Sequence, residues 1–265
     1  MLSLLIICFI GGAIGAMLQG MVGVGTGIIV VPLLTFVLPH YGVPPGNAMH
    51  IALATSMAAI TTNSISALRS HYRHGNIKWP LFNKLILFSL VGAFLGALAA
   101  SHLSGNYLQI LFGIFLLLNA AHMLFKKSIS AHLDQEPYLT TPKAATGGLI
   151  IGFIASIVGS GGGVLMVPFL QSLKLKMRYV VGTSTLIAFP VSFVGAVTYC
   201  LLGLHKINPS FHTIGYLHWP AFLAITAAGV LAAPLGVKLA TRLPTHFLQR
   251  LFALCMILIG IQMIA

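Results

Sequence analysis

The sequence predicts an all-α polytopic membrane protein built from two inverted-topology repeats, each with a broken or re-entrant glycine-rich helix. Three observations carry this. Of 265 residues, 58% are hydrophobic and only 6% are charged, whereas a soluble fold of this size needs roughly a quarter of its residues charged to cover its surface. Apolar runs long enough to cross a bilayer recur along the chain. Two glycine-rich knots, "GMVGVGTGIIVVPLL" at 20–34 and "IASIVGSGGGVLMVPFL" at 154–170, interrupt those runs at matching places.

The apolar segments are 2–19, 28–38, 49–68, 81–101, 107–125, 144–158, 164–173, 179–203, 216–237 and 247–264. The third, fourth and fifth, and the last three, have the length of a full crossing, about 18 to 25 residues. The other four are paired around the knots. The opening "MLSLLIICFIGGAIGAM" lacks a basic n-region, and its apolar sequence runs on, so it is read as part of the mature protein rather than a signal peptide. Both acids, Asp134 and Glu136, fall in the polar stretch "FKKSISAHLDQEPYLTTPK". The chain is therefore divided into a first transmembrane repeat at 1–125, a cytoplasmic linker at 126–143 and a second transmembrane repeat at 144–265.

The formal charge of +12 invites a nucleic-acid reading, but the cations sit in short breaks between apolar runs and form no basic domain. Threading the chain through the six full spans, with each knot pair returning to its starting side, places all 14 Lys and Arg residues except Lys206 on one face. Basic loops mark the cytoplasmic side. Both termini and the 39–48 loop are then expected outside. Residues 144–173 must leave the cytoplasmic side and come back. As helix they cover roughly 45 Å, short of the roughly 60 Å of two crossings, so two short helices meeting within the membrane are expected there. The N-terminal pair is longer and has room to span more fully.

The halves match in order and spacing. "GVGTGIIVVPLL" (23–34) lies opposite "GSGGGVLMVPFL" (159–170), with Pro32 against Pro168. "ATSMAAI" (54–60) lies opposite "GTSTLIA" (182–188), pairing Thr55 with Thr183 and Ser56 with Ser184. "KWP" (78–80) faces "HWP" (218–220), and Gly96 and Gln109 pair with Gly236 and Gln249. With three full spans per half, an odd number, the second half must be inverted. Such repeats with interrupted segments at matching places point to a secondary transporter and its binding site.

In these two glycine-rich, proline-terminated segments the chain resembles the TauE/SafE family, the sulfite exporter TauE or TSUP permeases, over nearly its whole length. The resemblance implies a permease that moves a sulfur-containing anion, such as sulfite or an organosulfonate, across the cytoplasmic (inner) membrane. Thr26 stands where the second half has Gly162, and Val24 where it has Ser160, so the two halves of the site are expected to differ.

Bare backbone in hydrocarbon costs several kcal/mol per unsatisfied group, so glycine-rich irregular chain belongs there only against protein or a wet cavity. Helices starting near Gly27 and Gly163 point their free amides and positive ends into the knots, which favours an anion. The expected substrate-binding residues are Gly25, Thr26 and Gly27 in the first knot and Ser160, Gly161, Gly162 and Gly163 in the second, with Thr55, Ser56, Thr183 and Ser184 from the repeated "TS" pairs. Each hydroxyl has a plainer reading beside it. Thr26 and Ser160 can cap local backbone, and the "TS" residues can bond carbonyls of their own helices. Gln19 and Asn63 are candidates for lining the path, against interhelical hydrogen bonds. Gly92, Gly96 and Gly236 read as close-packing sites, and Trp79 and Trp219 as interface anchors.

His71 and His74 have no carboxylate or cysteine beside them, and His50, which begins a span, reads as a loop or interface residue, against a reporter of protons. Cys8, Cys200 and Cys255 read as small buried hydrophobes. No metal, cofactor or catalytic residue is expected. The chain offers no membrane-buried acid pair, no nucleophile with its base and no "GxxxxGK[ST]", which argues against an enzyme or a built-in ATPase. The expected partners are a small anion and the lipid bilayer; a homo-oligomer is permitted and not required. A passive anion channel with the same amide-lined constriction is the alternative reading.

Overall fold

A computed structural model describes residues 1–22, 25–125, 139–204, 206, 212–240 and 245–264. Val24, Lys126, Lys127, Asp134, Glu136 and Arg242 lie outside the described residues. The elements are α1 (Leu2–Val22), α2 (Gly27–Val37) with a 3-10 turn (Leu38–Tyr41), α3 (Pro45–Arg73), α4 (Trp79–His102), α5 (Gly105–Phe125), α6 (Thr141–Val158), α7 (Gly163–Ser172), α8 (Met177–Gly203), a hairpin of β1 (Thr213–Ile214) and β2 (Leu217–His218), α9 (Trp219–Ala240) and α10 (Thr245–Ile264). The hairpin is antiparallel, with Thr213 opposite His218.

Six of the described helices, α1, α3, α4, α5, α6 and α8, are long and apolar enough to cross a membrane. The helices α9 and α10 run for 22 and 20 residues. All six full-length segments of the sequence are thus continuous helices. The knot partners divide differently from expectation. On the second knot, α7 is short at 10 residues, but α6 has 18. The apolar count missed its start. Helix α6 begins at Thr141, after extended Thr140 (ψ 146°) and with a proline in its first turn, where a missing N–H costs nothing. Pro32 and Pro168 both lie inside their helices, each the sixth residue. Each deprives the carbonyl four residues back, Ile28 or Val164, of its helical partner.

Helices α3 and α8 pack together at the centre. Around them α1 packs on α9, α4 on α6 and α5 on α10. Contact between α1 and α9 is the counterpart of that between α6 and α4, so the halves exchange partners. Glycines allow the closest approaches. A methyl group on Gly92 or Gly96 of α4 would strike the Leu149 or Phe153 carbonyl of α6, and one on Gly236 of α9 the Met17 carbonyl of α1.

The outward faces are apolar. Leu2, Ile6, Ile10 and Ile14 form an exposed stripe on α1, and Leu254, Leu258 and Ile261 one on α10. Water would penalise such continuous patches, whereas acyl chains solvate them. Trp79 and Trp219 stand exposed at the starts of α4 and α9, as interface anchors do.

The two ends of the bundle differ in charge. At one end, Lys78 and Arg178 lie 4.6 and 4.7 Å from the centre of the Tyr179 ring, and Lys84 Nζ donates to the Leu139 carbonyl at 3.1 Å. At the other, Lys206 Nζ donates to the Ser101 carbonyl at 3.1 Å, in the last turn of α4, where a cation offsets the negative helix end. Beside it, buried His50 places Nε2 3.2 and 3.1 Å from the Ala100 and Leu103 carbonyls and stacks on Tyr216 at 5.1 Å. His50 thus closes the end of α4.

Candidate functional site

The second knot is built by helix ends. Helix α6 stops at Gly159, which takes φ +66° and donates back to the Ser156 carbonyl at 3.3 Å; the Ser160 amide reaches the Ala155 carbonyl at 3.0 Å. This left-handed closure needs a residue without Cβ strain. Gly161 (φ +69°) and Gly162 (φ +82°) continue in the left-handed region and turn the chain straight into α7. In the first knot, the Thr26 carbonyl accepts the Ile29 and Val30 amides, both at 3.1 Å, as α2 begins.

The two knots touch. A Cβ on Gly25 would strike the Ser160 carbonyl, and one on Gly27 the Gly159 carbonyl. Helix α3 locks this contact: Ser56 Oγ donates to the Gly159 carbonyl at 3.0 Å, and Ile60 lies against both Gly25 and Gly161. From α8, Ser192 Oγ stands where a Cβ on Gly161 would go.

Two helix N-termini therefore open at one place, Thr26 heading α2 and Gly162 heading α7. Neither has a side-chain cap, and amides of a first turn have no partner within their own helix. In the knots and against them are hydroxyls buried without a hydrogen-bond partner: Thr26 Oγ1, Ser160 Oγ and Ser192 Oγ; on the last turn of α6, Ser156 Oγ is likewise unpartnered and lies against Gly195 of α8. All four residues are at most 1% exposed. Among the described residues, every buried side chain with a polar oxygen or nitrogen is Thr, Ser, Asn, His or Tyr, with no formal charge of fixed sign. Such a lining offers partial positive charge and O–H donors without an ion to hold a ligand permanently. A small crevice bounded by Gly15, Leu18, Ile28, Ile29, Met256 and Ile259 reaches Gly25 and Thr26 from the side of α10.

Of the eleven residues expected to bind substrate, Gly25, Thr26, Gly27, Ser56, Ser160, Gly161, Gly162 and Gly163 come together here. The other three hydroxyls serve backbone elsewhere. Thr55 Oγ1 accepts the His218 amide at 3.1 Å, Thr183 Oγ1 accepts the Lys78 amide at 3.0 Å, and Ser184 Oγ donates to the Val181 carbonyl at 3.0 Å. His218 is itself a cap, its Nδ1 accepting the Ala221 amide at 3.2 Å at the start of α9. Ser192 was missed in the sequence. The repeat held the signal: Ser192 lies nine residues after Thr183, as Ser64 lies nine after Thr55.

Lipid-facing helices around two broken, backbone-lined hairpins make a multi-pass membrane protein of the transporter class. The family model described as sulfite exporter TauE/SafE matches residues 7–263, and the chain belongs to that family. Its relatives include a probable membrane transporter protein of Haemophilus influenzae, 29% identical over 99% of each chain. Another is a probable membrane transporter protein of Methanocaldococcus jannaschii, 28% identical over 98% of this chain and 94% of the relative. A third is the probable membrane transporter protein YunE of Bacillus subtilis, 25% identical over 98% of this chain and 96% of the relative. No solved structure matches. The protein is a membrane transporter of the cell membrane.

Proposed function

We propose that the chain is a secondary transporter for a small sulfur-containing oxyanion such as sulfite or an organosulfonate, bound where the two knots meet. One observation carries the reading: the uncapped N-termini of α2 and α7 lie at touching knots whose Thr26 and Ser160 hydroxyls, with Ser192 against Gly161, are buried without partners. Helix N-termini favour anions, and the hydroxyls supply donors to the oxygens. The family's description as sulfite exporter supports a sulfur oxyanion as the substrate. The hairpins α1–α2 and α6–α7 enter from opposite faces as an inverted pair, and their separation gives the anion access to one side at a time. The touching knots favour this alternating access over a permanently open pore. An anion leaving the cell gains about 2.3 kcal/mol per charge per 100 mV, so the membrane potential suffices to drive export.

The test is flux in proteoliposomes with sulfite, sulfate, thiosulfate, taurine and sulfoacetate, under imposed pH and potential gradients. Saturable flux with counterflow for at least one is expected. Selective flux for none removes the sulfur-anion reading, and high unitary conductance replaces the carrier with a channel.

A further inference from the structure

A second polar cluster lies away from the hydroxyls of the knot site, where α1, α3 and α9 meet. Asn63 of α3 is 1% exposed, and both its amide oxygen and its amide nitrogen are buried without a partner. Its amide packs where a Cβ on Gly229 of α9 would go. One residue on, Ser64 is fully buried and accepts Gln19 Nε2 at 3.5 Å, while Gln19 Oε1 has no partner. One residue back, Thr62 Oγ1 lies 3.0 Å from Thr226 Oγ1 of α9. Two amides, three hydroxyls and no charge are gathered inside an apolar bundle.

The ligand's sign follows from the donors and the helix end. Gln19 Oε1 and Asn63 Oδ1 are two free carbonyl-type oxygens, and oxygens of this kind are the ligands of hard cations. Gln19 also lies in the last turn of α1, which ends at Val22. The carbonyls of that turn lack helical partners, and the helix end carries partial negative charge. Divalent cations want carboxylates, and the chain's only two acids are in the central polar stretch. Neutral oxygens at a helix C-terminus suit a small monovalent cation.

We propose that Gln19, Asn63 and Ser64 form a sodium-class cation site at the C-terminal end of α1. The first knot then separates a cation at the end of α1 from the anion at the start of α2. The two ions share one hairpin, so occupancy of one biases the position of the other. The cation site does not depend on which anion is carried.

The experiment measures Tm of the purified full-length protein in sodium, potassium and choline chloride at equal ionic strength, with no candidate anion added. A saturable rise in Tm with sodium, absent with choline, is expected. In Ser64→Ala the sodium titration should move about tenfold to higher concentration, the weight of one ligand. In Gln19→Ala and Asn63→Ala the rise should be lost. Equal Tm in all three salts overturns the proposal without any variant, as does a sodium response unchanged in Gln19→Ala and Ser64→Ala. Those two variants decide the matter if Asn63→Ala does not fold. A Tm that follows the anion when chloride is replaced by sulfate, and not the cation, also overturns it. None of these outcomes bears on whether the knots bind an anion, which flux alone tests.

Discussion

The Thr55 hydroxyl accepts the His218 amide at 3.1 Å, tying the middle of α3 to the approach to α9. Its repeat counterpart does the same in the other half, Thr183 accepting the Lys78 amide at 3.0 Å just before α4. In each case the donor precedes a Trp-Pro pair that starts a helix. A backbone amide beside a helix start, buried at His218 and partly buried at Lys78, has no helical partner, so the threonine oxygen supplies one. Removing that oxygen leaves the amide stranded. Thr55→Val and Thr183→Val should each cost about 1–3 kcal/mol, read as a lower Tm in detergent, while Thr55→Ser should keep most of the stability. The two threonines share no partner, so their losses should add. Full stability in Thr55→Val would show that the bond contributes nothing.

The knot hydroxyls should behave oppositely. Thr26, Ser160 and Ser192 are buried with no partner, so deleting the oxygen relieves a desolvated group instead of breaking a bond. Thr26→Val, Ser160→Ala and Ser192→Ala should leave Tm unchanged or raised. Transport should weaken about tenfold in KM for each lost donor, the equivalent of about 1.4 kcal/mol. A fall in Tm with KM unchanged would reassign these residues to packing.

The contrast between these hydroxyls shows what the sequence could and could not reveal. The starts of α2 and α7 at Gly27 and Gly163 were legible, because glycine runs ahead of an apolar, proline-bearing stretch leave little freedom about where a helix begins. Repeat pairing of Thr55 with Thr183 was legible too, but not its use. A threonine that binds substrate and one that holds a neighbouring helix start look alike in sequence; only the amides of His218 and Lys78, 163 and 105 residues away, separate them. Ser192 was hidden for the opposite reason. It sits in "AFPVSFV" with no glycine or second hydroxyl beside it, and its importance comes from Gly161 folding back against it.

Sidedness can be checked by labelling. Lys206, at the α4 C-terminal end, and the Lys78–Tyr179–Arg178 group, at the α4 N-terminal end, mark opposite ends of the bundle. If the cation-rich end is cytoplasmic, then cysteines at His40 and Leu204 should react with a membrane-impermeant thiol reagent applied to intact cells, and one at Ser172 should react only after lysis. The background must lack Cys8, Cys200 and Cys255. Labelling of Ser172→Cys in intact cells, with His40→Cys protected, would reverse the orientation.

The touching knots make the sharpest prediction. Gly25 and Gly27 face the Ser160 and Gly159 carbonyls with no room for a methyl group, and Gly161 combines φ +69° with Ser192 and Ile60 at its Cα. At Gly25 and Gly27 a side chain cannot be accommodated, because the first neighbours are backbone carbonyls held by Ser56 and by the closure of α6, while at Gly161 it meets the side chains of Ser192 and Ile60. Gly27→Ala should therefore push the hairpins apart at their tips, and Gly161→Leu should do so while also straining a left-handed residue. The long helices that lead to the tips, α1 and α6, are packed along their lengths by α9 and α4, so insertion and expression should survive. The expected result is membrane-inserted protein whose flux falls at least about a hundredfold, the scale of a misplacement near 1 Å at a reacting or binding centre. Gly42→Ala is the control, since Gly42 has a positive φ but nothing within 4 Å of its added Cβ, and it should transport normally. Equal flux for Gly27→Ala, Gly161→Leu and wild type would sink the knot contact as the site of transport.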